Sequence, residues 1–337
     1  MRFKTLNIVL SIAVALLFLW FAFRSINFDE LWQQILLVNY YWVPIFTFFL
    51  VLSHYLRAER WRLLLPDGFQ NTNRSTLFAG VMLGYVVNNI VPRLGEISRP
   101  VYVAKKTGLE SGNLIGTVVA ERIFDILTML TITMMTVFWL IKDFGDLQNL
   151  LGIENWSSTY YLFVPLLILL LLLSLWVFYK LMVYIDSRIE TTNPFFIKLI
   201  SFTRSFSEGL ISLNKVKNWP LFLFLTICIW GGYILMVYIP FYMLQMQIDF
   251  NLDIWDAVVL TVFSSIGLSI PTPAGIGSYH LLIQQSLYLL YDVPLAKALT
   301  FATVIHAVTM IVVFIVGPIV LWWDKMVTMN SSQKANS

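Results

Sequence analysis

Residues 295–323 read LAKALTFATVIHAVTMIVVFIVGPIVLWW and contain one charged side chain, Lys297. A helix needs about 20 mainly apolar residues to cross the hydrocarbon core of a bilayer. Comparable apolar stretches occupy residues 5–23, 40–56, 113–141, 160–184 and 219–247. Only 12% of the 337 residues are charged and 58% are hydrophobic, whereas a soluble domain has roughly 25% charged residues. The sequence therefore predicts an all-α polytopic membrane protein and excludes a soluble enzyme.

Two further apolar stretches, 76–92 and 257–290, are interrupted by helix breakers. The first runs into Pro92-Arg93-Leu94-Gly95-Glu96, and the second contains Ile270-Pro271-Thr272-Pro273-Ala274-Gly275-Ile276-Gly277. Proline removes a backbone donor and glycine lets the chain reverse. Because broken backbone at membrane depth must be buried in protein or face a watery cavity, we expect both breaks to lie inside the protein.

The basic residues favour a topology in which both broken stretches turn back. Lys and Arg concentrate in 57–75, 93–112 and 185–218, and cytoplasmic loops are enriched in these residues. All three segments are cytoplasmic only if 76–106 enters and returns as a re-entrant hairpin. A cytoplasmic C terminus then requires 257–290 to return as well, from the outside. We predict six spanning helices plus two re-entrant broken-helix hairpins with both termini cytoplasmic, and eight plain spans as the alternative.

This topology contains an inverted repeat. Elements that begin near residues 40, 76 and 113 recur near 219, 257 and 295, but start from the opposite side of the membrane. The inverted halves are about 5–141 and 160–323, and we expect them to form a single transmembrane domain, 1–330. Residues 331–337 are a polar tail. Paired broken helices in inverted repeats are typical of transporters, with the substrate site near the breaks. Chance similarity among apolar helices is the alternative explanation.

Three charged residues fall within the span 113–141: Glu121, Arg122 and Asp125. They begin about 12 Å along the helix, where lipid exposure of a charge is costly. Glu121 and Asp125 are four residues apart and share a face. The cluster is interpreted either as part of a polar site or as an ion-paired brace that holds the first hairpin.

The first hairpin offers groups that suit an anion: Asn88, Asn89, Arg93, Glu96 and Arg99. Arginine presents a bidentate fork for phosphate, and we expect Arg93, Arg99 and Arg122 to line a cytoplasm-facing pocket for an anionic head group. Ordinary cytoplasmic positive charge that attracts lipid without specificity is the alternative.

The histidines and the 57–65 segment leave further alternatives open. His280, just after the second break, either titrates, meets a phosphate or makes a structural hydrogen bond, and His306 is either an interhelix hydrogen-bond partner or a proton relay. Residues 57–65, Arg57-Ala58-Glu59-Arg60-Trp61-Arg62-Leu63-Leu64-Leu65, predict an interfacial helix. No Gly-rich phosphate loop and no H-E-x-x-H motif are present, so we expect no catalytic residues, metal or cofactor.

Together these motifs resemble the lysylphosphatidylglycerol synthase transmembrane (flippase-like) family over about residues 5–325. The resemblance lies in Arg57-x-x-Arg60-Trp61, Asn88/Asn89 to Pro92-Arg93-x-Gly95-Glu96-x-x-Arg99, Glu121-Arg122-x-x-Asp125 and Pro271-x-Pro273-x-Gly275-x-Gly277. It implies a membrane unit that translocates an aminoacylated phosphatidylglycerol. Lysyl transfer is not expected, because the chain lacks the cytosolic synthase domain. Ser278-Tyr279-His280 stands where family members often have Glu, and stand-alone relatives are linked to glycosylated or polyprenyl-linked lipids.

The sequence thus favours translocation of an anionic phospholipid or lipid-linked head group across the cytoplasmic membrane of a prokaryote. An intramembrane enzyme acting on a lipid-linked substrate is the first alternative, and a non-catalytic partner of a glycosyltransferase or synthase is the second. The expected substrate-binding residues are Asn88, Asn89, Arg93, Glu96, Arg99, Glu121, Arg122, Asp125, Pro271, Pro273, Gly275, Gly277 and His280. The expected partners are lipid and the membrane, not nucleic acid, with a lipid-modifying enzyme or a second copy of the chain left open.

Overall fold

The described part of the chain is helical. This computed structural model describes residues 2–24, 26–66, 68–143 and 216–335, and within them there is no β-strand. The α-helices are α1 (Arg2–Phe23), α2 (Phe28–Leu36), α3 (Val43–Arg62), α4 (Arg74–Ile90), α5 (Gly95–Thr107), α6 (Ser111–Asp143), α7 (Trp219–Met243), α8 (Met246–Asp249), α9 (Ile254–Ser269), α10 (Ser278–Tyr291) and α11 (Leu295–Ala335). Short 3-10 turns, Tyr40–Trp42 and Pro273–Gly275, precede α3 and α10.

Two helices among the described residues, Trp219–Met243 and Leu295–Met329, are long and apolar enough to cross a membrane. A third span is counted if the pair Ser11–Phe23 and Phe28–Leu36, bent by 88°, forms one crossing. The described part is all-helical and includes helices of membrane-spanning length, whereas six spans, the re-entrant course of the hairpins and the inverted repeat stay predictions. The expected span 160–184 and most of the basic segment 185–218 lie outside the described residues.

The chain divides into two compact units, Met1–Val118 with Val216–Ser337, and Val119–Lys215. In the first unit, a core of buried apolar side chains is shared by α3, α7, α9, α10 and α11, and Phe46, Phe241 and Phe301 are among its largest members. Of the second unit, the structure describes residues 119–143, the part of α6 that follows Val118.

Helices α4 and α5 form the first hairpin, in which the chain reverses at residues 91–94. The reversal depends on an extended Val91 (φ −129°, ψ 117°) and on Arg93 in the left-handed region (φ 64°). Gly84 lies against Gly95, since a Cβ built on Gly84 would stand 3.2 Å from the Gly95 carbonyl oxygen. Further from the break, Gly80 faces Val103. This register makes α4 and α5 antiparallel and closely packed, so both outer ends of the hairpin lie at the same end of the unit.

Helices α9 and α10 form the second hairpin, with the chain reversing at residues 270–277. Ser278 Oγ donates to the Gly267 carbonyl oxygen at 2.7 Å next to the break. At the outer end, the side chains of Asp256 and Tyr291 interact. The two helices are therefore antiparallel as well.

Helix α11 runs beside both hairpins and shows that they point toward each other. Near its start, Lys297 pairs with Asp249, close to the outer end of the second hairpin. Near its end, Asp324 accepts a hydrogen bond from Ser75 at the outer end of the first hairpin. The 27 residues between Lys297 and Asp324 span about 40 Å of helix, close to the thickness of a bilayer with its head groups. The outer ends lie at opposite ends of α11, and the two breaks lie between them.

Candidate functional site

The two breaks meet through Arg93. Its left-handed backbone carries the side chain across to the second hairpin, where Nη2 donates to the Ser269 carbonyl oxygen at 3.5 Å. Asn88 closes the first break, because its Oδ1 accepts from the Gly95 amide at 2.7 Å. Asn89 lies half-buried on the last turn of α4, and Glu96 lies on the first turn of α5. The structure thus brings both expected breaks together.

Arg99 is held over an indole ring inside the first unit. It is 4% exposed, and its guanidinium carbon lies 4.0 Å from the centre of the Trp61 ring. Trp61 is fully buried and fixed by a 2.8 Å hydrogen bond from Nε1 to Thr117 Oγ1. A desolvated cation–π contact of this kind contributes up to about 2 kcal/mol. Arg99 is therefore held in one place by Trp61.

Two arginines of α3 are buried as well, which corrects the prediction of an interfacial helix at 57–65. Arg57 is 4% exposed and Arg60 is fully buried, and both belong to α3, which continues to Arg62. Arg57 Nη1 donates to Tyr85 Oη at 2.6 Å, and Arg60 Nη1 donates to Thr226 Oγ1 at 3.2 Å. The basic face of this segment contacts α4 and α7 rather than the membrane surface, because these helices supply hydroxyl partners for the guanidinium groups.

His54, to which sequence reasoning assigned no role, is buried beside these arginines. It is 4% exposed and stacks on Tyr85 with ring centres 3.9 Å apart. Arg57 and Arg99 both interact with it electrostatically, and no described residue makes a hydrogen bond to either of its ring nitrogens. The spacing of residues 54, 57 and 61 was the available signal, because it places them on one face of a helix.

The charged cluster of α6 lies in the second unit. Glu121 is fully buried, and Arg122 Nη1 lies 3.8 Å from Asp125 Oδ2. This pair lies within one helix, so both the brace and the polar-site interpretations stay predictions. The pocket expected to join Arg122 to Arg93 and Arg99 stays a prediction.

The second break is tightly packed. Thr272 Oγ1 and Ser278 Oγ are 3.0 Å apart and share a hydrogen bond, and Pro271 and Pro273 flank Thr272. Ala274, Gly275 and Gly277 all adopt positive φ angles, 54°, 78° and 85°. A Cβ built on Gly277 would stand 2.4 Å from the Ala15 carbonyl oxygen of α1. Glycine is needed there for close approach to α1 as well as for the turn.

Two histidines flank this break. His280 and His306 are each 7% exposed, and their ring centres are 4.9 Å apart with planes inclined at 44°. The Gly277 amide donates to His280 Nδ1 at 3.4 Å, and the His306 ring approaches the backbone of Ala274. The sequence contained both residues without showing that they meet.

A further buried carboxylate, Asp324, joins α11 to the outer end of the first hairpin, and sequence reasoning missed it. It is fully buried. Its Oδ1 accepts from Ser75 Oγ at 2.8 Å and Thr76 Oγ1 at 2.7 Å, and its Oδ2 accepts from Tyr102 Oη at 2.6 Å. Lys106 Nζ lies 3.3 Å from the same Oδ2. These contacts join α11 to the outer ends of α4 and α5.

Comparison with known proteins places the chain among membrane proteins. Residues 8–317 match the family model described as the lysylphosphatidylglycerol synthase TM region. Two UPF0104 membrane proteins of Methanocaldococcus jannaschii are similar. One is 28% identical over 57% of this chain and 74% of its own length, and the other is 23% identical over 45% and 46%. A UPF0104 membrane protein of Pyrococcus horikoshii is 22% identical over 98% of this chain and 99% of its own length. No solved structure matches. Since the family model covers most of the chain, this protein belongs to the lysylphosphatidylglycerol synthase transmembrane-region family.

Proposed function

We propose that this protein moves an anionic phospholipid or lipid-linked head group across the cytoplasmic membrane of a prokaryote. The observation that carries the proposal is the contact between the two breaks, in which Arg93 of the first hairpin reaches Ser269 of the second. If the two hairpins enter the membrane from opposite sides and meet in its middle, each provides half of a pathway for the head group. The contact between the two breaks is then the barrier between the halves. Alternating access in transporters built from inverted repeats uses such an arrangement.

The buried cations of the first hairpin and α3 support a negatively charged cargo. Arg57, Arg60 and Arg99 are each at least 96% buried, and burying a guanidinium group is costly unless polar or charged partners offset it. A transport protein can use such groups by exchanging internal partners for a phosphate as the head group enters. Family membership supports a lipid cargo, because the family description names a lipid synthase.

The proposed pathway has an orientation. The outer end of the first hairpin, with Arg74, Lys105 and Lys106, faces the cytoplasm, in keeping with the enrichment of basic residues there. The outer end of the second hairpin, with Asp249, Asp253 and Asp256, faces outward. The head group passes between the breaks while its acyl chains stay in lipid.

The test uses purified protein in vesicles that contain fluorescent phosphatidylglycerol, or phosphatidylcholine as the neutral comparison. We expect protein-dependent exchange of phosphatidylglycerol between leaflets. Arg99→Gln should reduce it about tenfold or more, since a charge-assisted hydrogen bond contributes about 1.5–3 kcal/mol. Arg74→Gln, a 63% exposed arginine at the outer end of the first hairpin, is the matched control and should exchange normally.

Two outcomes would contradict the proposal. The first is equal exchange by wild type and Arg99→Gln with every anionic lipid offered, provided that both variants fold equally well. The second is a new lipid species, detected by mass spectrometry, without exchange, which would favour the intramembrane enzyme.

A further inference from the structure

Two imidazole rings contact the backbone of the second break. His280 Nδ1 accepts the Gly277 amide hydrogen at 3.4 Å, so in this geometry the ring is an acceptor at Nδ1. An imidazole with both nitrogens protonated has no acceptor left. Protonation of His280 therefore removes the contact that caps the first turn of α10.

The second ring, that of His306, limits the pair to at most one proton. His306 lies with its ring centre 4.9 Å from that of His280 and approaches the backbone of Ala274. Two positive charges at this separation in a protein interior repel each other strongly. The pair therefore holds at most one proton, and burial disfavours the charged form of either ring.

The surroundings contain few competing charges. From α10 itself, Tyr279 lies 5.4 Å from the His306 ring, centre to centre. On α1 the residues against Gly277 are Ala15, Phe18 and Leu19, and on α9 the residue against Tyr279 is Gly267, none of which titrates. The first hairpin brings Arg93 to Ser269 at the same break. Within the described residues, the ionisable group that acts on His280 is His306.

The backbone between the rings can change conformation when these contacts change. Ala274 has φ 54°, which is costly for a residue with a Cβ. Such a conformation persists only where surrounding contacts hold it. The His306 ring contacts the Ala274 backbone, and the His280 ring contacts Gly277 in the same turn. Loss of the Gly277 contact therefore lowers the cost of rearranging residues 274–277.

We propose that His280 and His306 form a proton-binding site whose occupancy opens the second break. The inference rests on the proposed function in one respect: it makes lipid movement dependent on proton binding. The ligand is a proton, taken up by His280, whose Nδ1 then no longer accepts from the Gly277 amide, and released again when the break closes.

The test measures the conformation of the break directly, without any lipid. In a Cys228→Ser background, Ile276→Cys reports on the second break and Leu94→Cys, at the tip of the first hairpin, corrects for the pH dependence of thiol reactivity. Because burial disfavours a charged imidazole, we expect the labelling rate at 276 relative to 94 to rise about threefold or more on acidification from about pH 7 to about pH 3. His280→Gln and His306→Gln, which keep polar side chains but do not titrate, should abolish the rise.

Each outcome bears on the inference separately from the transport function. A flat ratio in the protein with both histidines, which requires no histidine variant to fold, overturns the inference. An unchanged rise in the His280→Gln/His306→Gln double variant also overturns it. A pH-dependent break in a protein that exchanges no lipid supports the proton site and rejects the proposed transport. Lipid exchange with a flat labelling ratio supports the proposed transport and rejects the proton site.

Discussion

Replacing Asp324 with alanine removes the acceptor that joins α11 to the outer end of the first hairpin. Three hydroxyl groups, from Ser75, Thr76 and Tyr102, and the Lys106 ammonium group lose their carboxylate. Removing one partner of a buried ion pair commonly costs about 3–5 kcal/mol. Lys106 is 28% exposed and can turn to water, so the lower end, about 3 kcal/mol, is expected.

Asp324→Asn should cost less, because the two oxygens have different partners. Ser75 and Thr76 both donate to Oδ1, which an asparagine can retain, while Tyr102 and Lys106 contact Oδ2. The variant loses the charge and one acceptor but keeps two of the three hydroxyl contacts. We expect about 1–2 kcal/mol, in the range for charge-assisted hydrogen bonds.

The assay is thermal unfolding of the purified protein in detergent at a fixed scan rate. At about 2 °C per kcal/mol for a chain of this length, Asp324→Ala should lower the apparent Tm by about 6 °C and Asp324→Asn by about 2–4 °C. Asp292→Asn is the matched control, because Asp292 is exposed and its φ of 53° suits asparagine. If Asp324→Ala unfolds at the same temperature as this control, the carboxylate does not join the two elements as described.

Two further predictions concern packing and topology. Gly277→Ala should greatly reduce the folded yield, measured by size-exclusion chromatography, because its Cβ would lie 2.4 Å from the Ala15 carbonyl oxygen. The control is Gly108→Ala, which has a similar φ of 76° but open space around it and should lose only about 1 kcal/mol of stability. Equal yields of the two variants would argue against the close approach of α1. In a Cys228→Ser background, Lys105→Cys and Met329→Cys should be labelled from the cytoplasmic side, and Ile248→Cys from the other side. The reason is that Lys106 contacts Thr328, whereas α8, which contains residue 248, lies by the opposite end of α11. Labelling of residues 105 and 248 from one side would contradict the opposed hairpins.

The sequence was informative wherever one residue type imposes a local conformation. Pro92, Pro271 and the nearby glycines indicated both breaks. In the structure no α-helix covers 91–94 or 270–277, although residues 273–275 form a short 3-10 turn. The apolar runs around α7 and α11 were sufficient to predict long helices, because a run of about 20 apolar residues has few other stable arrangements. The motifs also led to the family, which the match over residues 8–317 confirms.

The sequence was less informative where the environment of a side chain depends on distant helices. The basic residues at 57–65 were assigned to an interface, yet Arg57 and Arg60 are buried, because Tyr85 of α4 and Thr226 of α7 supply their hydroxyl partners. Periodicity shows which residues share a face of a helix but not which other helix covers that face.

Composition and breakers by themselves determined the helical membrane class and the positions of the two breaks, because apolar length and proline geometry act locally. Only the tertiary structure decided that Arg93 reaches Ser269, that His280 meets His306, and that Asp324 joins α11 to the first hairpin. These pairs are 176, 26 and up to 249 residues apart in the chain. Contacts at such separations form because helices pack together, and helix packing depends on the whole set of side chains rather than on any single motif.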